Sequence, residues 1–189
     1  MKNRMTYMAK IGALLTLSTA LLCLSACGFH LQGERQLAEP LHRMYLHTPD
    51  PYGHLARDLE QFLKMSHVQL VATPEQATTI LNILQDANSQ SLLSVSGTQQ
   101  TRQYNLTVSV QFEITDTKGH TIVPTQTLKE ARAITIQSNQ ILGSSNEASL
   151  MYQQIRRSLA SAIINRLASE EISQVILRAS PPPAKKKPS

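Results

Sequence analysis

The sequence predicts an α+β fold: a two-layer sandwich with two helices packed on one face of a roughly four-stranded, mostly antiparallel sheet. Three observations carry this expectation. Tyr104, Leu106, Val108, Val110, Phe112 and Ile114 fill successive even positions, against Asn105, Thr107, Ser109, Gln111, Glu113 and Thr115 at the odd ones. That is the two-residue period of a strand with one buried and one wet face. Met151, Ile155, Leu159, Ile163 and Leu167 recur every fourth residue, with Ala148, Tyr152 and Ala162 on the same arc, which is the stripe of an amphipathic helix. A strand and a helix precede the alternating segment, so the order is β-α, then a strand meander, then a long helix.

The first element after a connecting stretch to Pro40 is Met44 to His47, which alternates as a strand. Asp50-Pro51 then offers a cap followed by proline at the first helical position. Leu55, Ala56, Leu59, Phe62 and Leu63 place one apolar stripe on a helix from about Tyr52 to Met65. Val68 to Val71 reads as a short helix-to-strand connection, and Pro74 argues against a continuous strand there. Thr79 to Ser96 is strand-like, Ser96-Gly97-Thr98 is a turn, and the alternating strand follows. Asp116-Thr117-Lys118-Gly119 turns the chain again into a strand from Thr121 to Ile136. These three strands exceed the usual five or six residues, so the distal hairpin is expected to extend past its covering helices. Ser144 with Glu147 forms a capping box that opens the last helix, which runs to about Val175. Arg166 falls on the apolar arc, where its stem is expected to snorkel at the edge of the packed region. Glu170-Glu171 reads as a solvated helix end.

The two ends have a different composition. Lys2, Arg4 and Lys10 lead into an apolar run from Ile11 to Leu24 and then Ser25-Ala26-Cys27, the layout of an export signal. The string Leu24-Ser25-Ala26-Cys27 resembles the cleavage box of bacterial lipoprotein precursors. That resemblance implies that Cys27 becomes the mature N-terminus, carrying an S-diacylglycerol and an N-acyl chain. Three chains would hold a soluble domain to a bilayer almost permanently, because each buried methylene contributes about 0.8 kcal/mol. The residue after Cys27 is Gly28 and not Asp, which for such lipoproteins implies delivery to the outer membrane. Cys23 would be discarded with the signal, so the mature chain would hold no free thiol and no disulfide. At the other end, Pro181-Pro182-Pro183-Ala184-Lys185-Lys186-Lys187-Pro188 reads as a disordered basic tail. The expected organisation is a signal peptide over 1–26, an acylated linker over 27–40, one α+β domain over 41–178 and a tail over 179–189.

Charge and composition exclude several functions. The chain has a net charge of +5 over 189 residues, but three lysines and arginines lie in the first ten residues and three lysines near the end. Residues 27–180 carry 12 basic and 13 acidic side chains, so the body is near neutral and nucleic acid is not an expected partner. With no Trp and eight aromatics, there is little from which to build a base-stacking platform. No apolar stretch reaches the about 20 residues of a spanning helix. The six histidines, His30, His42, His47, His54, His67 and His120, show no metal-ligand spacing and no HExxH arrangement. No GxSxG elbow, phosphate loop or GxGxxG is present. A binding or structural role is therefore expected, without catalysis, metal or cofactor apart from the covalent lipid at Cys27.

Cys27-Gly28-Phe29-His30-Leu31-Gln32-Gly33 resembles the mature N-terminus of the lipopolysaccharide-assembly lipoprotein LptE family. The similarity extends to the element order: a strand and helix, a long hairpin with a Tyr early in its second strand (Tyr104), and a C-terminal amphipathic helix with a low-complexity tail. The resemblance implies an outer-membrane lipoprotein that sits in the lumen of the LptD β-barrel, supports its assembly, plugs it and helps lipopolysaccharide reach the outer leaflet. It further implies lipopolysaccharide contacts by basic residues near the hairpin tip and before the last helix. Here Ser96-Gly97-Thr98 and Gly143-Ser144-Ser145 are uncharged, which leaves Arg102, Lys129 and Arg132 as the candidate lipopolysaccharide-binding residues. Two other readings compete: an auxiliary lipoprotein of another envelope lipid-transport system, which would need an apolar groove, and a lipoprotein hydrolase, which would need a Ser or His constellation.

Overall fold

The computed structural model of the chain describes residues 37–98, 101–137 and 141–179. The signal segment, Cys27, the linker as far as residue 36 and the basic tail lie outside the described residues. Packing begins inside the stretch expected to be linker. Leu37 is buried, and a 3-10 turn over Glu39–Leu41 places Leu41 fully in the core. The His42 ring Nε2 donates to the Leu37 carbonyl (3.0 Å) and fixes this entry.

Strand β1 is Arg43–His47, helix α1 is His54–Met65 and strand β2 is Gln69–Leu70. A 3-10 turn over Pro74–Gln76 leads to β3, Thr79–Val95; β4 is Thr101–Thr115 and β5 is Thr121–Gln137. Helices α2, Ile141–Leu167, and α3, Glu170–Ala179, complete the described elements. The described sheet has five strands in the order β2-β1-β3-β4-β5, with β1 parallel to both neighbours and the three long strands antiparallel. The α+β sandwich and its mostly antiparallel sheet agree with the sequence reading. The count of four strands becomes five because Gln69–Leu70, too short to show a period, pairs with Arg43 and Met44.

Two helices become three for a comparable local reason. Beyond Leu167 the next buried residues are Ile172 and Ile176, so the apolar spacing slips from four to five and one straight helix could not bury both sets. The chain breaks at Ala168-Ser169, where the Ser169 hydroxyl donates to the Arg166 carbonyl (2.7 Å) and its own carbonyl accepts from the Ser173 N–H (2.9 Å). Arg166 spans the break. Its guanidinium reaches Glu171 (2.9 Å) and Gln126 of β5 (3.4 Å), so it ties α2, α3 and the sheet together and does not merely snorkel.

Both expected caps shift. Helix α1 is capped by Gly53 and not by Asp50, because Asp50 folds back against it; a Cβ on Gly53 would lie 2.5 Å from the Asp50 carboxylate. Helix α2 already includes Ile141, so Ser144 lies within its first turns and is not the cap. The C-terminus of α1 closes with His67 at φ 59°, donating from its N–H to the Lys64 carbonyl (3.1 Å), while the Val68 N–H donates to Leu63 (3.0 Å). This is the Schellman pattern, and buried Val68 and Leu63 supply its usual apolar contact.

The core lies between the helices and the even-numbered face of β4. Leu106, Val108, Val110, Phe112 and Ile114 are fully buried, against Ile155, Leu159, Ile163 and Leu167 of α2 and Leu55, Leu59 and Leu63 of α1. Each such side chain contributes roughly 1.5–3 kcal/mol on burial. Strand β3 enters this core with Leu81 and Ile83, but a register shift between Ile83 and Gln85 places an extra residue, Leu84, in the strand. Beyond it Asp86, Asn88, Gln90 and Leu92 pair with the even residues of β4 and so share the helix side, while Ala87, Ser89 and Ser91 take the open side.

Candidate functional site

The face of the sheet away from the helices is open, and the pleat determines what it displays. Across β3, β4 and β5 it presents Ala87, Ser89 and Ser91, then Asn105, Thr107 and Ser109, then Ala131 and Ala133. Apart from Lys129, which pairs with Ser109 on this face, these are short and uncharged, and Thr107 at their centre is buried. They form a flat surface with hydroxyl and amide hydrogen-bonding groups and little apolar area. At its base the Asn82 amide donates to the Thr115 hydroxyl (3.0 Å), and the Thr125 hydroxyl donates to Glu113 (3.3 Å). Among the described residues every buried side-chain polar atom has a partner.

The three candidate cations do not converge. Arg102 pairs in register with Ile136, and Arg132 with Leu106, so both point to the helix side. They lie four residues apart along β4, about 13 Å. Lys129 pairs with Ser109 and so projects from the opposite, open face. Arg132 is half-buried and already engaged: its Nε and Nη2 donate to the Glu130 carboxylate at 2.9 and 2.7 Å. Arg102 and Lys129 are exposed. The uncharged tip turn stands as read over Ser96, Gly97 and Thr98.

Sequence reasoning missed the contacts that hold α2 to the long hairpin. Tyr152 donates from its hydroxyl to the Ser89 carbonyl (3.0 Å), and Arg156 donates through Nε to Asp86 Oδ2 (2.7 Å). Burial of the phenol raises the Tyr152 pKa above its usual value, and the nearby Arg156 charge opposes this. The spacing of Tyr152 and Arg156, one helical turn apart, was visible; their strand partners were not, because the extra residue at Leu84 changes which β3 residues face the helix. A cleft of about 350 Å³ lies beside this pair, lined by Thr48, Asp50, His54, Asp86 and Arg156 among others. Two carboxylates against one guanidinium, with the His54 Nδ1 accepting from Arg57 (3.2 Å), give it no cationic character.

No group of three or more His, Cys, Asp or Glu among the described residues is placed to hold a metal. Among them too, no helix is long and apolar enough to cross a membrane. What the arrangement can do is pack against and hydrogen-bond to a polar surface, with the hairpin as a long arm.

Known proteins agree with this description. The family model for LptE, described as lipopolysaccharide-assembly, matches residues 41–167. The LPS-assembly lipoprotein LptE of Yersinia enterocolitica is 29% identical over 155 residues, covering 82% of this chain and 74% of that protein. Its Yersinia pestis counterpart is 29% identical over 163 residues, covering 85% and 77%. The solution structure of lipoprotein B from Nitrosomonas europaea superimposes with a TM-score of 0.63 at 20% identity, covering 81% of this chain and 97% of that one. A minor lipoprotein from Acinetobacter baumannii gives 0.60 at 21%, covering 69% and 93%. These two likenesses concern the fold.

Proposed function

The chain belongs to the LptE family of lipopolysaccharide-assembly proteins, and from that premise we propose that it is the lipid-anchored, outer-membrane partner of an LptD-type β-barrel. In this reading Cys27 carries the lipid that holds the chain to the inner leaflet of the outer membrane, facing the periplasm. The domain enters the barrel lumen, supports the barrel's assembly, plugs it and assists lipopolysaccharide on its way to the outer leaflet. The family's role is non-catalytic.

One observation carries the reading: an open sheet face of mostly small, uncharged side chains, with Lys129 as its charge beside Ser109, on a long three-stranded hairpin. A luminal wall of a barrel is polar and strand-built, and a hydroxyl and amide surface packs on it with little charge to desolvate. Lipopolysaccharide phosphates, if held directly, would meet Arg102 on one side of the hairpin or Lys129 on the other, singly and not in one cluster.

Affinity purification of the C-terminally tagged chain from detergent-solubilised outer membranes tests the partnership. A large β-barrel recovered in stoichiometric amount is expected. Recovery of the lipoprotein alone, or with inner-membrane transporter subunits, would return the auxiliary-lipoprotein alternative. For the anchor, Cys27→Ala is expected to accumulate as unprocessed precursor away from the outer membrane; normal fractionation of that variant would contradict the acylation.

A further inference from the structure

The long hairpin has two outer edges, and they differ. Along β5 the edge carries Pro124, Lys129, Glu130 and Arg132, the features by which natural sheets block further pairing. The β3 edge carries no proline or lysine; its one charge, Asp86, is held by Arg156, and β-bulges lie at the two ends of its distal stretch. Strand β1 pairs with β3 only as far as His47 with Asn82, so among the described residues β3 beyond that point has a strand neighbour on one side alone. From Leu84 to Val95 every residue is exposed except half-buried Ala87, although the Asp86 side chain is largely covered by Arg156. Register shifts at Leu84 and Leu93 bound a regular stretch from Gln85 to Leu92, of which the part from Ala87 to Leu92 contains no charge, proline or glycine. Helix α2 approaches it chiefly through the Tyr152 hydroxyl on the Ser89 carbonyl.

We propose that Ala87–Leu92 is a docking edge, completed by an extended segment of the barrel partner that adds to the sheet as a further strand beside β3. The inference rests on the function proposed above and specifies where its interface forms. A strand edge presents alternating unpaired N–H and C=O groups, and another extended backbone is the ligand that satisfies such a row. With Ala87, Ser89 and Ser91 on one face and Asn88, Gln90 and Leu92 on the other, the incoming segment carries small or uncharged side chains. Half-exposed Leu92, Leu93 and Val95 (54%, 54% and 44%) give it an apolar end against which to stop. Six residues make an edge of about 20 Å. At the about 4.8 Å spacing of paired strands that edge offers on the order of 100 Å², a small part of the roughly 1,200–2,000 Å² a stable association buries. The edge therefore serves as one element of a larger contact with a barrel, and does not by itself hold two copies of this chain together.

Residue-resolved amide hydrogen exchange on the full lipoprotein, free and in the co-purified barrel complex, tests this. In the free chain alternate amides between Ala87 and Leu92 are bonded to β4, and the outward set exchanges fast. Strand addition is expected to slow that outward set by a hundredfold or more, removing the alternation. A complex that forms while the outward set keeps its free rate would overturn the docking edge and leave the proposed function standing. Failure to recover any barrel complex would overturn both.

Discussion

Arg156 of α2 and Asp86 of β3, 70 residues apart in sequence, meet through a 2.7 Å Nε to Oδ2 bond with both side chains largely covered, 17% and 25% exposed. The pair fastens the helix to the hairpin just where β3 leaves the protection of β1. A charge-assisted hydrogen bond of this kind contributes about 1.5–3 kcal/mol. Arg156→Met should therefore lower stability by about 2 kcal/mol, a fall of some 4–8 °C for a chain of this size. Asp86→Asn, which keeps an acceptor, should lose less. Urea denaturation of the two variants checks the order, and an unchanged midpoint for Arg156→Met would contradict the role given to the pair.

His67 occupies a left-handed conformation that glycine adopts freely, φ 59°. Replacing it by glycine removes a strain of about 1–2 kcal/mol and adds about 0.5–1 kcal/mol of chain entropy to be lost on folding. His67→Gly is thus expected to stabilise by about 0.5–1 kcal/mol, and His67→Val, β-branched in the same backbone, to destabilise. Both are read by thermal melting. A lower melting temperature for the glycine variant would contradict the Schellman closure.

The β4–β5 turn depends on one carboxylate. Asp116 Oδ1 accepts from the Lys118 and His120 N–H groups, each at 2.8 Å, and Oδ2 meets the His120 ring at 2.9 Å. The His120 hydrogen bond, followed by those backbone bonds, holds the Asp116 pKa below its ordinary 3.8. A depressed carboxylate favours the folded turn above its unfolded pKa, and that contribution disappears as the pH falls through the lowered value. The turn should stay closed through neutral and mildly acidic pH and loosen only in strong acid. An NMR titration of the Asp116 carboxyl carbon and the His120 amide provides the check; a midpoint at or above the ordinary value would count against it.

Phe112 lies near the C-terminal end of β4, fully buried in the core formed by the sheet, α1 and α2. Phe112→Ala should cost about 3–5 kcal/mol through lost transfer energy and the cavity left behind, whereas Gln111→Ala on the open face should change stability by less than about 0.5 kcal/mol. Denaturant unfolding of both separates a one-sided core from a sheet buried on both faces.

The sequence revealed the central strand and the long helix because each maintains one period for many residues, and Tyr104 to Ile114 does point to the core as read. It was silent where a period breaks or is too short to exist. Leu84 shifts the alternation of β3, the five-residue step from Leu167 to Ile172 divides the last helix, and Gln69-Leu70 is too brief to carry a pattern. Arg102, Lys129 and Arg132 were legible as cations on the hairpin. The separation of Lys129 from Arg132 follows from their odd spacing in one strand, but which of them shares a side with Arg102 does not, because it depends on the register of β5 against β4, fixed by the irregular pairing around Ile114 and Val123. The β3 edge was hidden for another reason: nothing in residues 87–92 says that β1 stops at His47.

The single added residue at Leu84 divides the hairpin into two halves with independent parity. Below it, odd residues of β3 point inward and are held by the core; above it, even residues do, and their neighbours are mostly water. Loss of that one residue would let Ile83, Gln85 and Asp86 alternate directly, so the bulge would disappear while every distal side chain kept its β4 partner and its face. Removal of two residues from each strand beyond it would preserve every orientation and shorten the arm by about 7 Å. The reach of the hairpin can thus be tuned in paired steps by insertion and deletion, without any change to the residues that make the domain fold.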